Sequence, residues 1–263
     1  IRQINSLLDG MYAYAVYDQK NNRLLLGRDP QGEKSLYIYE NEQQIIISSE
    51  VNPIIQFTND YEINADILKT YFYTRHLTQF EKTIFKNIKI LNPGKLTSLD
   101  LNSLKFKDLE TISFHKYINE IEFGRNLKRK EEDLVDELDF LFKKNIKEMI
   151  PINRKFASIV SGGIDSSLIS NYICGISKPN KLIFLNHVGK DKLTNKIKNF
   201  EKYLNNKISQ YKIYKKDYYK YLIKCLNICN SPIHSHSFVG QLIISSKISK
   251  NGCRALFGGE GAD

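Results

Sequence analysis

Seven consecutive residues, Ser161-Gly-Gly-Ile-Asp-Ser-Ser167, bring together two glycines, three hydroxyls and one carboxylate. Gly162 and Gly163 let the backbone run close to a ligand and adopt positive φ, and the hydroxyls of Ser161, Ser166 and Ser167 add donors around an anion. Phosphate is the anion that fits best. A carboxylate beside phosphate is repulsive unless a cation lies between them, so Asp165 implies Mg2+. No Gly-Lys-Ser/Thr follows, so this is not the common Walker loop. Taken alone, the same residues also read as a tight strand-to-helix connection capped by Asp165.

The flanking pattern places the loop. A β-prone run from Phe156 to Val160 leads into it, and Ser166-Ser167-Leu168-Ile169 reads as the first turn of a helix. Such a junction offers unpaired N–H groups and the positive end of a helix dipole. Downstream come a strand from Lys181 to Asn186 and a helix with Leu193, Ile197, Phe200 and Leu204 on one face. A third strand from Ile208 to Tyr214, helices around 218–226 and 238–248, and a last strand from Arg254 to Phe257 complete the series. Strands alternating with helices need right-handed crossovers and build a doubly wound parallel sheet, which binds ligands beyond its carboxyl ends.

Three of those ends carry glycine: the Ser161 loop, His187-Val188-Gly189, and Gly258-Gly-Glu-Gly-Ala-Asp263. If the strands are neighbours, the tips form one crevice for a flat nucleotide, with Asp165 and Asp263 on a metal at its phosphates and Glu260 at the rim. The plainer alternative makes the terminal glycines loop punctuation and Glu260 a solvated side chain. His187 is expected to pack within its loop.

Residues 1–50 read as antiparallel strands: Tyr12 to Tyr17, Arg23 to Gly27, Leu36 to Tyr39 and Gln44 to Ser48, joined by turns at 18–22 and 28–32. A short helix starts at Asn64-Ala-Asp66 and runs through Tyr73, and a strand spans Leu96 to Leu101. Residues 102–130 are polar and increasingly basic, ending in Arg125-Asn-Leu-Lys-Arg-Lys130, a solvated connection rather than a nucleic-acid site. From Glu131 the pattern is helical, with Leu134, Leu138, Leu141, Phe142 and Ile146 on one face. The expected organisation is a domain over 1–112, a linker over 113–130 and a second domain over 131–263.

A chain of 263 residues can hold two such cores. The net charge of +10 is spread through an Asn-, Ile- and Tyr-rich sequence without an aromatic-basic recognition motif, so no nucleic-acid partner is expected. No apolar run is long enough for a membrane span and Ile1-Arg-Gln-Ile-Asn5 is not a secretion signal, which points to the cytoplasm. Cys225 and Cys229 would share a helix face near His234 and His236. Without paired Cys-x-x-Cys knuckles, reduced thiols are favoured over zinc. No cysteine precedes Cys174.

At these residues the chain resembles the glutamine-dependent asparagine synthetase family. Ser161 to Ser167 is similar to the pyrophosphatase loop of AMP-forming ligases, and Gly258 to Asp263 to the family's second nucleotide motif. Leu8-Asp-Gly-Met-Tyr-Ala-Tyr-Ala-Val-Tyr-Asp18, Gly27-Arg-Asp-Pro-Gln-Gly32, Ser48-Ser-Glu50 and Asn92-Pro-Gly94 are similar, in order, to the latter part of its class II glutaminase domain. The resemblance implies an α+β N-terminal part, a partial antiparallel αββα domain of the Ntn-glutaminase kind, and a C-terminal α/β domain of the ATP-pyrophosphatase type.

It implies that Val160 and Val188 contact the adenine or ribose and that Gly258 and Gly259 bind AMP. Ser161, Gly162, Gly163, Ser166 and Ser167 would hold pyrophosphate, Asp165 and Asp263 would ligate Mg2+, and Glu260 matches the position linked to acyl-adenylate formation. The implied reaction is ATP-dependent, AMP-forming amidation of aspartate through an aspartyl-adenylate, with ammonia from glutamine and a homodimer as the candidate assembly. Two rivals are a homologue acting on another carboxylate, such as a surface sugar or a lactam-forming substrate, and a non-catalytic nucleotide-binding module.

The family's N-terminal cysteine and glutamine-binding segments precede the Leu8 region, and its catalytic lysine follows Asp263. The expectation is therefore a middle piece of a longer protein that is inactive alone, with glutamine acting through the missing N-terminal part. Gly258 stands where the family commonly has serine, and Lys190-Asp-Lys-Leu-Thr-Asn195 departs from the usual segment.

Overall fold

The computed structural model describes residues 7–77, 81–112, 124–187 and 191–259, and for 186, 187 and 191–194 it describes the backbone. The chain divides into two compact units, Ile1–Leu127 with Ile228–His234, and Lys128–Asn227 with Ser235–Asp263.

The strands of the first unit are β1 (Ala13–Asp18), β2 (Arg23–Arg28), β3 (Tyr37–Glu40), β4 (Ile45–Ser48), β5 (Ile88–Ile90), β6 (Lys95–Asp100) and β7 (Lys105–Thr111). Its helices are α1 (Val51–Thr58) and α2 (Ala65–Thr74). Two antiparallel sheets result, in the orders β1-β2-β6-β7 and β4-β3-β5. Period-2 alternation decides what each face meets. Ile38, Ile45 and Ile47 point towards Leu24, Leu26 and Phe106 of the larger sheet. Tyr37, Tyr39 and Ile46 point the other way, onto Val51, Ile54 and Ile55 of α1.

The turn after β2 is held by a buried pair of charges. Asp29 accepts N–H bonds from Gln31, Glu33 and Lys34, and the Arg28 guanidinium donates to the carbonyls of Lys34, Leu91 and Gly32 at 2.5–2.6 Å. Burial pulls the Arg28 pKa below its ordinary value, with Asp29 opposing.

Two elements differ from the sequence reading. Helix α1 was not expected, and β7 lies inside the stretch read as a polar change of register. Its burial is low along Lys105–Thr111 because, among the described residues, it is an edge strand paired only with β6. The helix from Asn64 forms as expected, with the Asn64 side chain accepting the Ile67 N–H.

The second unit runs α3 (Glu131–Met149), β8 (Lys155–Ile159), α4 (Ile164–Ile176), β9 (Lys181–His187), α5 (Asp191–Leu204), β10 (Ile208–Ile213), α6 (Lys215–Cys229), α7 (Ser237–Ser249) and β11 (Cys253–Phe257). All four strands are parallel, in the order β10-β9-β8-β11. Helices cover both faces. Phe156 packs with Ile146 of α3 and Ile173 of α4, and Val160, Leu182 and Phe184 pack with Ile197 of α5. On the opposite face Ala157 and Ile183 meet Ile244 and Ile248 of α7. Of the α3 face read from periodicity, Ile146 is buried and Leu134 and Phe142 half-buried, while Leu138 and Leu141 are exposed at 54% and 42%. Periodicity identifies a face but not what covers it.

Candidate functional site

The order β10-β9-β8-β11 contains a switch point. The chain steps outward from β8 through β9 to β10, then returns to the far side of β8 as β11. In sheets of this kind ligands bind where the direction reverses, here beyond the carboxyl ends of β8 and β11. The loop after β8 and the glycines after β11 are therefore neighbours, and β9 ends on the other side of β8.

Val160 is fully buried, its N–H donating to Ile183 O at 2.8 Å. Gly162 then takes φ +86°, which turns the chain into α4 with Gly163 at the cap position. No side chain caps this helix. Among the described residues, the N–H groups of Gly162, Ile164, Asp165 and Ser166 meet no acceptor, so the start of α4 carries four open donors and the positive end of a helix dipole.

The serine hydroxyls bond to one another and to the loop backbone. The Ser161 N–H donates to Ser166 Oγ at 3.0 Å, the two hydroxyls lie 2.7 Å apart, and Ser161 Oγ accepts from Gly163 N–H. Ser167 Oγ donates to Gly163 O at 2.7 Å. In this structure all three hydroxyls bond within the loop.

The second glycine segment reaches the first. A Cβ built on Gly259 would stand 2.7 Å from Ser166 N and 3.0 Å from Asp165 C and Cβ, so only glycine lets this backbone lie on the first turn of α4. Gly258 has room, since its Cβ would meet Ile159 Cδ1 at 4.0 Å. Its departure from serine is thus not forced by packing.

The Asp165 carboxylate is half-buried and makes no hydrogen bond or ion pair with a described residue. A hard oxygen donor beside four open N–H groups suits Mg2+ bridging to phosphate, a metal that takes one or two protein carboxylates and completes its shell from phosphate and water. Val188, Glu260 and Asp263 lie outside the described residues. So does the greater part of the 113–130 segment.

The four cysteines form no disulfide, and among the described residues no three His, Cys, Asp or Glu side chains cluster to hold a metal. No described helix is long and apolar enough to cross a membrane. A groove of about 690 Å³ between α3 and α4, lined by Lys143, Lys147, Leu168 and Tyr172 among others, includes none of the residues above.

Two family models match the chain in succession. Residues 2–111 match the glutamine amidotransferase domain and residues 137–263 match asparagine synthase. The class is thus a glutamine amidotransferase domain followed by an asparagine synthase domain.

Known proteins are similar along much of the chain. A Methanocaldococcus jannaschii sequence bearing a provisional name as a glutamine-hydrolysing asparagine synthetase is 25% identical over 97% of this chain and 44% of its own length. The glutamine-hydrolysing asparagine synthetase of Gallus gallus is 24% identical over 68% of this chain and 30% of its own length. The first such enzyme of Bacillus subtilis is 26% identical over 62% and 24%. The chain belongs to the glutamine-dependent asparagine synthetase family, and it spans less than half the length of these relatives.

Proposed function

We propose that the chain supplies the ATP-binding core of an AMP-forming amidation, in which aspartate is converted to asparagine through an aspartyl-adenylate with ammonia drawn from glutamine. The observation that carries this reading is the seating of Gly259 on the α4 N-terminus, which joins the two glycine segments at the switch point. On this reading the 1–112 part is glutaminase-like with an αββα arrangement, 113–130 is the linker, and 131–263 is of the ATP-pyrophosphatase type.

The Gly162, Ile164, Asp165 and Ser166 N–H groups hold the β- and γ-phosphates, and Val188 is assigned to the nucleoside, while Val160, which has no exposed surface, supports the loop from within the sheet. Gly258 and Gly259 lie along the AMP portion. Asp165 and Asp263 hold Mg2+, which when bound neutralises phosphate charge. The substrate carboxylate oxygen attacks the α-phosphorus and the bond to pyrophosphate breaks. Ammonia then attacks the acyl carbon, AMP leaves with the acyl oxygen's electron pair, and the nitrogen loses a proton. Such displacements need a positioned, charge-neutralised triphosphate more than a covalent residue, which suits a loop that offers backbone donors. Glu260 is the group assigned to adenylate formation.

The test is AMP and pyrophosphate release by the protein. Release that requires aspartate and ammonia is expected. Release with other carboxylic acids and none with aspartate would assign the homologous amidotransferase or cyclase, and no Mg-ATP binding at all would remove the nucleotide reading. Glu260→Gln should leave ATP affinity nearly intact while abolishing AMP formation.

A further inference from the structure

Beneath the loop lies a second pair of hydroxyls. Ser158 of β8 and Ser170 of α4 are both fully buried, and their Oγ atoms are 2.9 Å apart. They sit in a layer otherwise built from Phe156, Val160, Ile173 and Leu182. A buried hydroxyl persists only when bonded, so two facing each other form a directional link.

Ser170 Oγ also reaches the Ile159 carbonyl at 3.3 Å, and between the two serines either hydroxyl can be the donor. The Ile159–Val160 peptide is consequently held at both ends, its carbonyl by α4 and its N–H by Ile183 O of β9. It precedes the Val160–Ser161 peptide that opens the loop. Ser166 and Ser170 are four residues apart on one face of α4, so the Ser161–Ser166 contact forms an upper rung and Ser158–Ser170 a lower one. A slide of α4 by one residue, about 1.5 Å, would break both.

We infer that Ser158 and Ser170 are positioning residues for the anion-binding loop. They fix the height and rotation of α4 against β8, and hence where the N–H groups of 162–166 point. Apolar packing alone would hold the helix without setting its register. This rests on the nucleotide reading of the loop, and the experiment separates the two.

The Ser158→Ala/Ser170→Ala double variant removes both hydroxyls and leaves neither buried and unpaired, so it is expected to fold. Titration of the 263-residue chain with Mg-pyrophosphate should show the double variant binding about tenfold more weakly, the loss of roughly one charge-assisted hydrogen bond. Amide exchange across 161–166 should quicken by a similar factor, while circular dichroism stays unchanged. Ser170→Thr keeps the hydroxyl and should recover most of the affinity.

Unchanged affinity and unchanged exchange in the double variant would overturn the positioning role, as would a folded Ser170→Thr as impaired as Ser170→Ala. If the wild-type chain does not bind Mg-pyrophosphate, the nucleotide reading falls. The exchange comparison then still decides the role of the two serines. Should the double variant fail to fold, Ser158→Ala alone, which keeps the Ser170 bond to Ile159, carries the same comparison.

Discussion

Replacing Gly259 by alanine tests the meeting of the two glycine segments most directly. The added Cβ would lie 2.7 Å from Ser166 N, roughly 0.8 Å inside a van der Waals contact of ~3.5 Å. Its neighbours are backbone and Cβ atoms of the first turn of α4, which have no rotamer to escape into. Either β11 or α4 must shift, and overpacking of this kind costs about 1–3 kcal/mol. A cost of about 2 kcal/mol lowers the melting temperature of a chain this size by about 4–8 °C. Where the shift also separates the loops, Mg-ATP affinity falls roughly 30-fold.

Two neighbouring glycines serve as controls. Gly163→Ala meets only the Ser161 hydroxyl at 3.5 Å, and Gly258→Ser meets only Ile159 Cδ1 at 4.0 Å, so each should change stability by about 0.5 kcal/mol or less. Differential scanning calorimetry and ATP titration on the three variants read the contrast. If Gly259→Ala melted and bound like Gly163→Ala, the close seating of β11 on α4 would be refuted.

Asp165→Asn should weaken Mg-dependent ATP binding about tenfold or more while leaving Mg-free anion binding equal or tighter, because a like charge beside phosphate is gone. Titration with and without Mg2+ distinguishes this from a packing defect, which would weaken both. Arg28→Lys keeps the charge but not the three-carbonyl fork, and is expected to destabilise the first unit by about 2 kcal/mol, measurable by urea denaturation. An unchanged midpoint would contradict the role given to that guanidinium. The Tyr14 phenol is pushed up to about 12, first by burial and then by Tyr12 and Glu110. The folded chain thus holds this proton more tightly than the unfolded chain, and the stability it confers below pH 10 is lost as pH rises towards 12. Tyr14→Phe should flatten that alkaline decline, and an identical decline in the variant would exclude Tyr14 as its source.

The parallel sheet was legible because β8, β9 and β10 are short β-prone runs each followed by a turn and a helix, as at Phe156 to Val160 and Lys181 to Asn186. Helix α1 was not, because Glu50 makes no side-chain cap and Pro53 interrupts an apolar run that reads as extended. Strand β7 was obscured for the opposite reason. Lys105-Phe-Lys-Asp-Leu-Glu-Thr111 carries the charges an edge strand uses against further pairing, and those charges look like linker. At the site, the residue types around Ser161 and Gly258 were visible as composition. That Ser166 bonds inward, and that Ser158 and Ser170 matter at all, depends on which face of β8 meets α4, a fact of packing rather than of spacing.

The strand order also governs when binding competence arises. The ligand crevice needs β11 beside β8, and the chain reaches β11 only after the long return from Ile213 to Cys253, the last crossover to be completed. Because non-local closure must precede the contacts that reward it, the crevice should be the final part to assemble during refolding. Nucleotide capture would then report that the whole sheet has closed.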